Sequence, residues 1–330
     1  MKVNRPDEPS FEGIGTFTKL PLVLDLEELA GADVAIVGAP FDETTTGRSG
    51  ARFGPRAIRL SDMGGGGASP HLDAGVDPFD ALNVVDHGDV VVHPGDPARS
   101  HEAIRRSVRD VMSAGAVPVV LGGDHSILHP NASAAAEHVA PSSLGIVHFD
   151  AHADDAQELY GVRRSHGTPV RLLVEERSVR GEHIVQVGLR GYWPGPEEFA
   201  WAREHGLVWF TIGDIEERGW GDVVGDVLSL AARADHVWLS VDIDVVDPGF
   251  APGTGVPEPG GLTPRELLGA VRRIATEVGF AGMEIVEVSP PYDHADVTAL
   301  LAHRVVLEAL TGLALHRLGR QPRRERPAAR

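Results

Sequence analysis

The sequence predicts an α/β fold with a mostly parallel central sheet that helices cover on both faces. Short, almost entirely apolar runs recur along the chain, and amphipathic stretches with helical periodicity separate them. Strands that are buried on both faces are apolar throughout, which is typical of parallel sheets. The predicted strands are residues 34–37, 117–121, 145–149, 184–187, 208–210, 237–241 and 283–288.

Between these strands, helical patterns cover residues 102–114, 131–139, 197–205 and 264–278. Thr263 and Pro264 form a strong start signal for the last of these, with Thr as the cap and Pro in the first turn. A final long helix is predicted over residues 295–315. No compositional linker divides the chain, so we expect one catalytic domain over residues 31–320.

The two ends of the chain are expected to lie outside this domain. Residues 1–30 are predicted to form an N-terminal arm, and the Arg- and Pro-rich residues 321–330 are predicted to be a disordered tail. The glycine run 64–67 is predicted to be a loop. The first 15 residues lack the apolar core of a secretory signal, and no apolar run appears long enough to span a bilayer. We therefore expect a cytoplasmic protein.

Composition narrows the class of partner. The formal net charge is −18, which argues against nucleic acid or an anionic membrane as a partner, because phosphate binding needs a basic surface. An acidic protein suits a cationic small molecule, although acidic surfaces also simply promote solubility. The chain has no cysteine, so disulfides and thiolate metal sites are excluded.

Acidic and imidazole side chains follow several of the predicted strands. Because ligands of open parallel sheets bind beyond the carboxyl ends of the strands, these side chains are expected at one edge. Residues two apart on an extended chain point the same way, so each group can converge. The groups are His125 after the second strand, Asp150, His152 and Asp154 after the third, Asp242 and Asp244 after the sixth, and Glu284 and Glu287 on the seventh.

So many carboxylates placed together would repel one another and raise their pKa values unless a cation joined them. Two metal ions with bridging carboxylates use this set better than one ion does. Oxygen and imidazole ligands without sulfur favour Mn²⁺ over structural zinc. Taken singly, Asp242 with Asp244 could be a turn pair and His125 an ordinary loop histidine. Together the three segments predict a binuclear site that activates water.

Long motifs in this chain resemble the ureohydrolases, a family that includes arginase, agmatinase, guanidinobutyrase and proclavaminate amidinohydrolase. The resemblance covers nearly the whole chain, and no ligand position departs from it. It is carried by Gly-Gly-Asp-His-Ser at 122–126, Asp-Ala-His-Ala-Asp at 150–154 and Ser-Val-Asp-Ile-Asp-Val-Val-Asp-Pro at 240–248, with further matches at 38–42, 50–59, 251–255 and 286–294.

This resemblance implies a three-layer α/β/α sandwich with two Mn²⁺ ions per subunit, and usually a homotrimer or homohexamer. One metal would take His125, Asp150, Asp154 and Asp242, and the other Asp150, His152, Asp242 and Asp244. Hydroxide would attack a guanidinium carbon with Asp154 orienting it. His166 matches the proton-shuttling histidine and Glu287 the residue that binds the guanidinium, whereas Glu284 is expected to be structural. Without the resemblance, His166 would be read as a surface-loop histidine.

The substrate is harder to predict. Residues 286–294 and 188–191 resemble bacterial agmatinases most, which favours agmatine as substrate, with urea and putrescine as products and a place in polyamine metabolism. Arg163 and Arg164, just before His166, could instead grip a substrate carboxylate, which would favour 4-guanidinobutanoate or a related guanidino acid. They could also be two solvated loop arginines. A non-catalytic scaffold or metal-binding relative is a third hypothesis.

Overall fold

The computed structural model describes residues 11–61 and 70–320. The glycine run 64–67, the tail 321–330 and residues 1–10 of the predicted arm lie outside the described residues, so the predictions for them stay predictions.

The described chain builds one sheet of eight parallel strands, which confirms the predicted fold class. Its strand order is β2-β1-β3-β8-β7-β4-β5-β6, and every neighbouring pair is parallel. Seven of the strands match the predicted apolar runs. The strands are β1 Val34–Ala39, β2 Val84–Asp89, β3 Val117–Gly122, β4 Leu144–Phe149, β5 Ile184–Leu189, β6 Val208–Thr211, β7 His236–Asp242 and β8 Gly282–Val286.

Helices cover both faces of the sheet, as the sandwich requires. Consecutive strand residues face opposite layers, so that Leu239 and Val241 pack into one core while Trp238 packs into the other. Helices α1, α2 and α7 to α10 belong to the first layer, and α3 to α6 to the second. The helices are α1 Gly54–Leu60, α2 Pro78–Ala81, α3 Pro97–Ser113, α4 Leu128–Val139, α5 Pro169–Glu175, α6 Pro196–Glu204, α7 Ile212–Arg218, α8 Trp220–Ala231, α9 Pro264–Glu277 and α10 Val297–Arg317.

The start of helix α9 agrees with the start signal predicted at Thr263 and Pro264. Helix α9 begins with a capping box, in which the Thr263 hydroxyl accepts the Glu266 amide hydrogen and the Glu266 carboxylate accepts from the Thr263 amide.

The last helix, α10, is long and apolar enough to cross a membrane, contrary to the sequence expectation. Most of that apolar stretch is buried in the fold, as in the core helix of a globular domain.

The edge strand β2 was not predicted, because its second half is polar. Asp86 is fully buried there, and its carboxylate accepts hydrogen bonds from Arg59 Nε at 2.8 Å and Nη2 at 3.0 Å. The same carboxylate accepts the backbone N–H of Phe17, also at 2.8 Å. The Arg59 guanidinium additionally reaches Asp89. One buried ion pair therefore joins α1, the edge strand and the N-terminal segment.

Replacing Arg59 by Met is expected to lower the free energy of unfolding by about 3 to 5 kcal/mol, because it leaves the buried Asp86 carboxylate without its cation. Urea denaturation measures the loss. Arg273→Met is the matched control, since Arg273 pairs with Glu277 in solvent, where such pairs contribute roughly 1 kcal/mol or less. Equal losses in the two variants would show that the Arg59 pair is not a structural link.

Candidate metal centre

The predicted site residues gather at the carboxyl ends of four adjacent central strands, β3, β8, β7 and β4. A cavity of about 340 Å³ opens above them. Its lining includes His152, Asp154, His166, Asp242, Asp244 and Glu287, together with Thr46, Leu159, Tyr160, Arg190, Trp193 and Glu258.

His125 is held in place by close backbone packing after β3. Gly123 lies so near the Phe41 carbonyl that a Cβ atom would stand 1.7 Å from the oxygen, so only glycine fits. The Asp124 amide donates to that carbonyl at 2.7 Å. This packing positions the His125 ring, whose Nδ1 lies 2.9 Å from Asp150 Oδ2, 3.0 Å from Asp154 Oδ2 and 3.3 Å from Asp242 Oδ2.

Asp150 stands between two clusters. Its Oδ2 faces His125, whereas its Oδ1 lies 3.4 Å from Nδ1 of His152. His152 Nδ1 is also 3.1 Å from Asp244 Oδ2. Two groups of potential ligand atoms therefore share the Asp150 carboxylate, one on each of its oxygens.

The side chains do not converge by simple strand alternation, as the sequence argument assumed. Strand β4 ends at Phe149, and the chain then bends through Asp154, which adopts a left-handed φ of 49°. Asp242 is the last residue of β7, and Asp244 lies in the short 3₁₀ turn that follows. The Asp244 amide donates to Asp242 Oδ1 at 2.8 Å, which fixes this turn. Bent segments, rather than extended ones, bring the carboxylates together.

The electrostatics of this cluster call for positive charge. Burial opposes a charge on His152, but the carboxylates of Asp244 and Asp150 outweigh burial and raise its pKa to about 12. Burial also opposes a charge on His125, whose pKa the neighbouring aspartates raise well above its ordinary value. Burial and the charges of Asp244 and Asp150 raise the pKa of Asp242 well above its ordinary value. The cluster thus favours protonated imidazoles at His125 and His152 and a protonated carboxyl at Asp242.

The donor set fits divalent cations. Two groups of side chains present ligand atoms within 4.8 Å of one another: His125, His148, Asp150 and Asp154 in one, and Asp150, His152 and Asp244 in the other. The buried atoms His125 Nδ1 and Asp150 Oδ2 have no hydrogen-bond partner among the described residues, although each faces the cluster. All donors are oxygen or imidazole nitrogen, as Mn²⁺ accepts. His148, inside strand β4, is the one member that the sequence analysis missed.

His166 lies beside the cluster. The Thr46 amide donates to His166 Nε2 at 3.1 Å, so the neutral ring carries its proton on Nδ1. That Nδ1 is 3.4 Å from Glu287 Oε1. Burial lowers the pKa of His166, but the hydrogen bond and charge of Glu287, with the charge of Asp154, outweigh it and raise the pKa to about 9.

Glu287 reaches the cavity from a turn, not from a strand. Strand β8 ends at Val286, one residue earlier, and Glu287 adopts a left-handed φ of 61°. Its Oε1 accepts the His125 amide hydrogen at 2.9 Å, while Oε2 has no described hydrogen-bond partner. A Cβ on Gly255 would stand 2.9 Å from Oε2, so this glycine leaves room for the carboxylate. Glu284 is fully buried below, away from the cavity lining.

Arg163 and Arg164, which the sequence offered as possible partners of a substrate carboxylate, are not among the residues that line this cavity. Arg163 donates to Glu175 and Arg164 to Glu176, and both arginines are at least half exposed. Their partners belong to helix α5 and to its carboxyl end, which draw the two guanidinium groups away from the cavity. The placement agrees with the alternative reading of solvated loop arginines.

Cavity residues that the sequence analysis did not predict include Tyr160, Tyr192, Trp193 and Glu258. Tyr160 and Tyr192 are almost wholly exposed at the rim. Arg190 lines the cavity too, but its guanidinium donates to backbone carbonyls, among them those of Asp244 and Glu258. The Glu258 carboxylate has no hydrogen bond or ion pair with a described residue. Loops bring these residues to the cavity only in the folded structure, so their spacing in the sequence does not indicate them.

The fold and this cluster define an α/β protein with a candidate binuclear metal site at the carboxyl edge of its sheet, and comparison with known proteins names its family. The Arginase family model matches residues 32–312. Proclavaminate amidinohydrolase of Streptomyces clavuligerus is 39% identical over 92% of this chain and 94% of its own. Guanidinobutyrase of Pseudomonas aeruginosa is 37% identical over 92% of this chain and 93% of its own. Agmatinase of Bacillus subtilis is 38% identical over 85% of this chain and 92% of its own.

Comparison with solved structures leads to the same family. Proclavaminate amidinohydrolase from S. clavuligerus superposes with a TM-score of 0.86 at 37% identity, covering 94% of this chain and all of its own. The chain belongs to the arginase family. It is an amidinohydrolase acting on guanidino compounds, as the motifs led us to expect, and its family is one of binuclear metal enzymes.

Replacing Asp242 by Asn should make the stability of the folded protein much less dependent on bound metal. A raised folded-state pKa means that the ionised Asp242 carboxylate destabilises the metal-free fold as pH rises above its ordinary range. The metal-free variant should therefore be at least as stable as the wild type at pH 7.5. Mn²⁺ at 100 times its Kd should stabilise the wild type by about 2.7 kcal/mol and the variant by far less.

Thermal unfolding with and without Mn²⁺, in parallel with metal analysis of the dialysed proteins, measures both effects. A variant that gains as much from Mn²⁺ as the wild type would exclude Asp242 as a ligand.

Proposed function

We propose that the chain is a binuclear Mn²⁺ enzyme that hydrolyses agmatine to putrescine and urea. The observation that carries this proposal is the pair of ligand groups sharing Asp150 beneath a cavity whose uncommitted charged side chains are acidic. Mn²⁺ as the metal is supported by the oxygen and imidazole donors. Formiminoglutamase of Trypanosoma cruzi was crystallised with Mn²⁺. Its structure superposes on 88% of this chain and 96% of its own, with a TM-score of 0.79 at 26% identity.

The proposed ligands follow the family pattern on the residues present. One cation would be held by His125, Asp150, Asp154 and Asp242, consistent with the distances around His125 Nδ1. The other would be held by Asp150, His152, Asp242 and Asp244, consistent with the position of His152 Nδ1 beside Asp244. Two such cations, when bound, supply a water acidified enough to act as a nucleophile near neutral pH.

The chain's own side chains would do the rest. Glu287 Oε2 faces the cavity without a partner, so it can accept hydrogen bonds from the substrate guanidinium, a charge-assisted contact. Asp154 lines the same cavity and can accept a hydrogen bond from the attacking water, which orients it. His166 holds a proton on Nδ1 and can deliver it to the amine that leaves when the C–N bond breaks. Urea and the protonated amine are the products.

The far end of the substrate decides between agmatine and guanidino acids. Agmatine carries an ammonium there, and the Glu258 carboxylate is uncommitted in the cavity lining. The aromatic faces of Trp193 and Tyr192 at the same cavity also favour a cation. Among the described lining residues, Arg190 is the only arginine, and backbone carbonyls occupy it. A carboxylate tail would therefore find no free guanidinium there.

A guanidino-acid hydrolase is the second candidate, because several relatives are named for guanidino acids. Guanidinobutyrase and guanidinopropionase of P. aeruginosa are 37% and 38% identical to this chain. Arg163 and Arg164 would have to leave Glu175 and Glu176 to read such a tail. A homotrimer or homohexamer, a role in polyamine metabolism and a cytoplasmic location also stay predictions.

Replacing Glu287 by Gln should lower kcat/KM for the preferred guanidino compound by about a hundredfold, corresponding to roughly 2.7 kcal/mol, because a neutral amide cannot pair with the guanidinium charge. Metal content should stay near that of the wild type. Steady-state urea release and metal analysis of the same preparation measure the two quantities. If Glu287→Gln instead loses metal, the residue is a ligand and its proposed role is wrong.

Urea release from agmatine, 4-guanidinobutanoate, 3-guanidinopropionate and arginine tests the substrate directly. Agmatine should give the highest kcat/KM, and only with Mn²⁺ present. Glu258→Gln should raise KM for agmatine about tenfold while leaving KM for 4-guanidinobutanoate unchanged or lower. Arg163→Met serves as the control that should alter neither.

A preference for 4-guanidinobutanoate that Arg163→Met or Arg164→Met abolishes would establish the second candidate instead. No urea from any of the four compounds, with metal bound, would support the non-catalytic relative.

A further inference from the structure

A row of polar side chains crosses the sheet directly beneath the candidate metal centre. Gln186 on β5, His148 on β4, Ser240 on β7 and Glu284 on β8 are paired in register across four adjacent strands. Each is at most 1% exposed, and all point into the layer that α3 to α6 cover. Buried parallel strands are normally apolar at such positions, so this polar row, as we name these four residues, requires an explanation.

Hydrogen bonding at one end of the polar row fixes the tautomer of His125. In its ionised form the Glu284 carboxylate can only accept, and its Oε2 already accepts from Asn131 Nδ2 at 2.6 Å. Ser240 therefore donates its single hydroxyl proton to Glu284 Oε1 at 2.8 Å. Its Oγ must then accept from His125 Nε2 at 2.9 Å. The neutral His125 ring carries its proton on Nε2, which leaves a lone pair on Nδ1, the atom facing the aspartates.

The other end of the polar row fixes the opposite role for His148. The Gln186 amide nitrogen is identified by its contact with the Ala153 carbonyl at 2.7 Å, since two oxygens would repel. The same nitrogen lies 3.1 Å from His148 Nδ1, which must accept. The neutral His148 ring thus carries its proton on Nε2, which lies 3.1 Å from Asp150 Oδ2 without the geometry of a hydrogen bond. An N–H has no lone pair to offer a metal.

We propose that the polar row positions the metal ligands from below by setting two tautomers: His125 presents a lone pair to a cation, whereas His148 places an N–H beside Asp150 Oδ2 and offers no lone pair there. The two rings stack with centroids 4.9 Å apart, and burial and spacing alone would make both candidate ligands. Their hydrogen-bond partners tell them apart. His125 is the ligand, and His148, Ser240, Glu284 and Gln186 are positioning residues. This inference rests on the proposed cation site.

The polar row should act on one cation more than on the other. It contacts His125 and the Oδ2 oxygen of Asp150, both on the same side of that carboxylate. The Oδ1 oxygen faces His152, whose ion pairs among the described residues are with Asp150 and Asp244 and not with the row. Partners of this kind alter metal affinity by about 10- to 100-fold when they are removed. The loss should therefore fall on the cation that His125 holds.

The test is a stepwise titration of metal-free protein with Mn²⁺ by calorimetry and equilibrium dialysis, with no substrate present. The wild type should bind two ions per chain. Ser240→Ala and, separately, His148→Phe should weaken one of the two binding steps by about 10- to 100-fold and leave the other within about threefold. At saturating Mn²⁺, both variants should recover most of the wild-type activity.

Ser100→Ala is the matched control, because Ser100 is a fully buried, hydrogen-bonded serine of α3 far from the row in the chain. It should leave both steps unchanged. Unaltered titrations for Ser240→Ala and His148→Phe would overturn the role of the polar row. So would equal weakening of both steps, or the same weakening in Ser100→Ala. A wild type that binds no Mn²⁺ would overturn the cation site itself, which is a distinguishable failure.

Discussion

Repulsion among buried carboxylates is the constraint on which this molecule depends. Asp150, Asp154, Asp242 and Asp244 are buried around His125 and His152 at the carboxyl end of the sheet, where water screens their charges less than at the surface. The positive charge of the His125 and His152 imidazoles, whose pKa values the carboxylates raise, reduces this repulsion, and a divalent cation would reduce it further. Parallel topology makes the cluster possible, because every strand brings its carboxyl end to the same edge.

Much of this could be read from the sequence. Seven strands were predictable because strands buried on both faces are apolar, and the signature residues follow their ends. The edge strand β2 escaped because Asp86 and Asp89 serve an ion pair with Arg59, so its pattern is not that of a buried strand. The convergence of Asp150, His152 and Asp154 was predicted for an inexact reason: a bend at Asp154, with its left-handed φ, brings them together rather than strand alternation.

Other features depend on tertiary contacts that no local pattern encodes. The position of Arg163 and Arg164 just before His166 allowed two readings, a contact with the substrate or a place in a solvated loop, and their ion pairs with Glu175 and Glu176 agree with the second. Glu258 reaches the cavity on a loop 133 residues after His125 of the first metal-site loop, a separation at which spacing gives no signal. His148 and Ser240 sit inside apolar strands and look like isolated polar exceptions. Strand register turns them into neighbours, and only then do their hydrogen bonds explain the His125 tautomer.

The centre therefore has two tiers: ligands on bent segments above the sheet, and polar strand residues that orient them from within it. Anomalous diffraction from a crystal grown with Mn²⁺ tests this account most directly. It should show two peaks about 3.5 to 4 Å apart, one beside His125 Nδ1 and one beside His152 Nδ1, with Asp150 and Asp242 between them. A single peak, or a peak on His148 Nε2, would contradict the account.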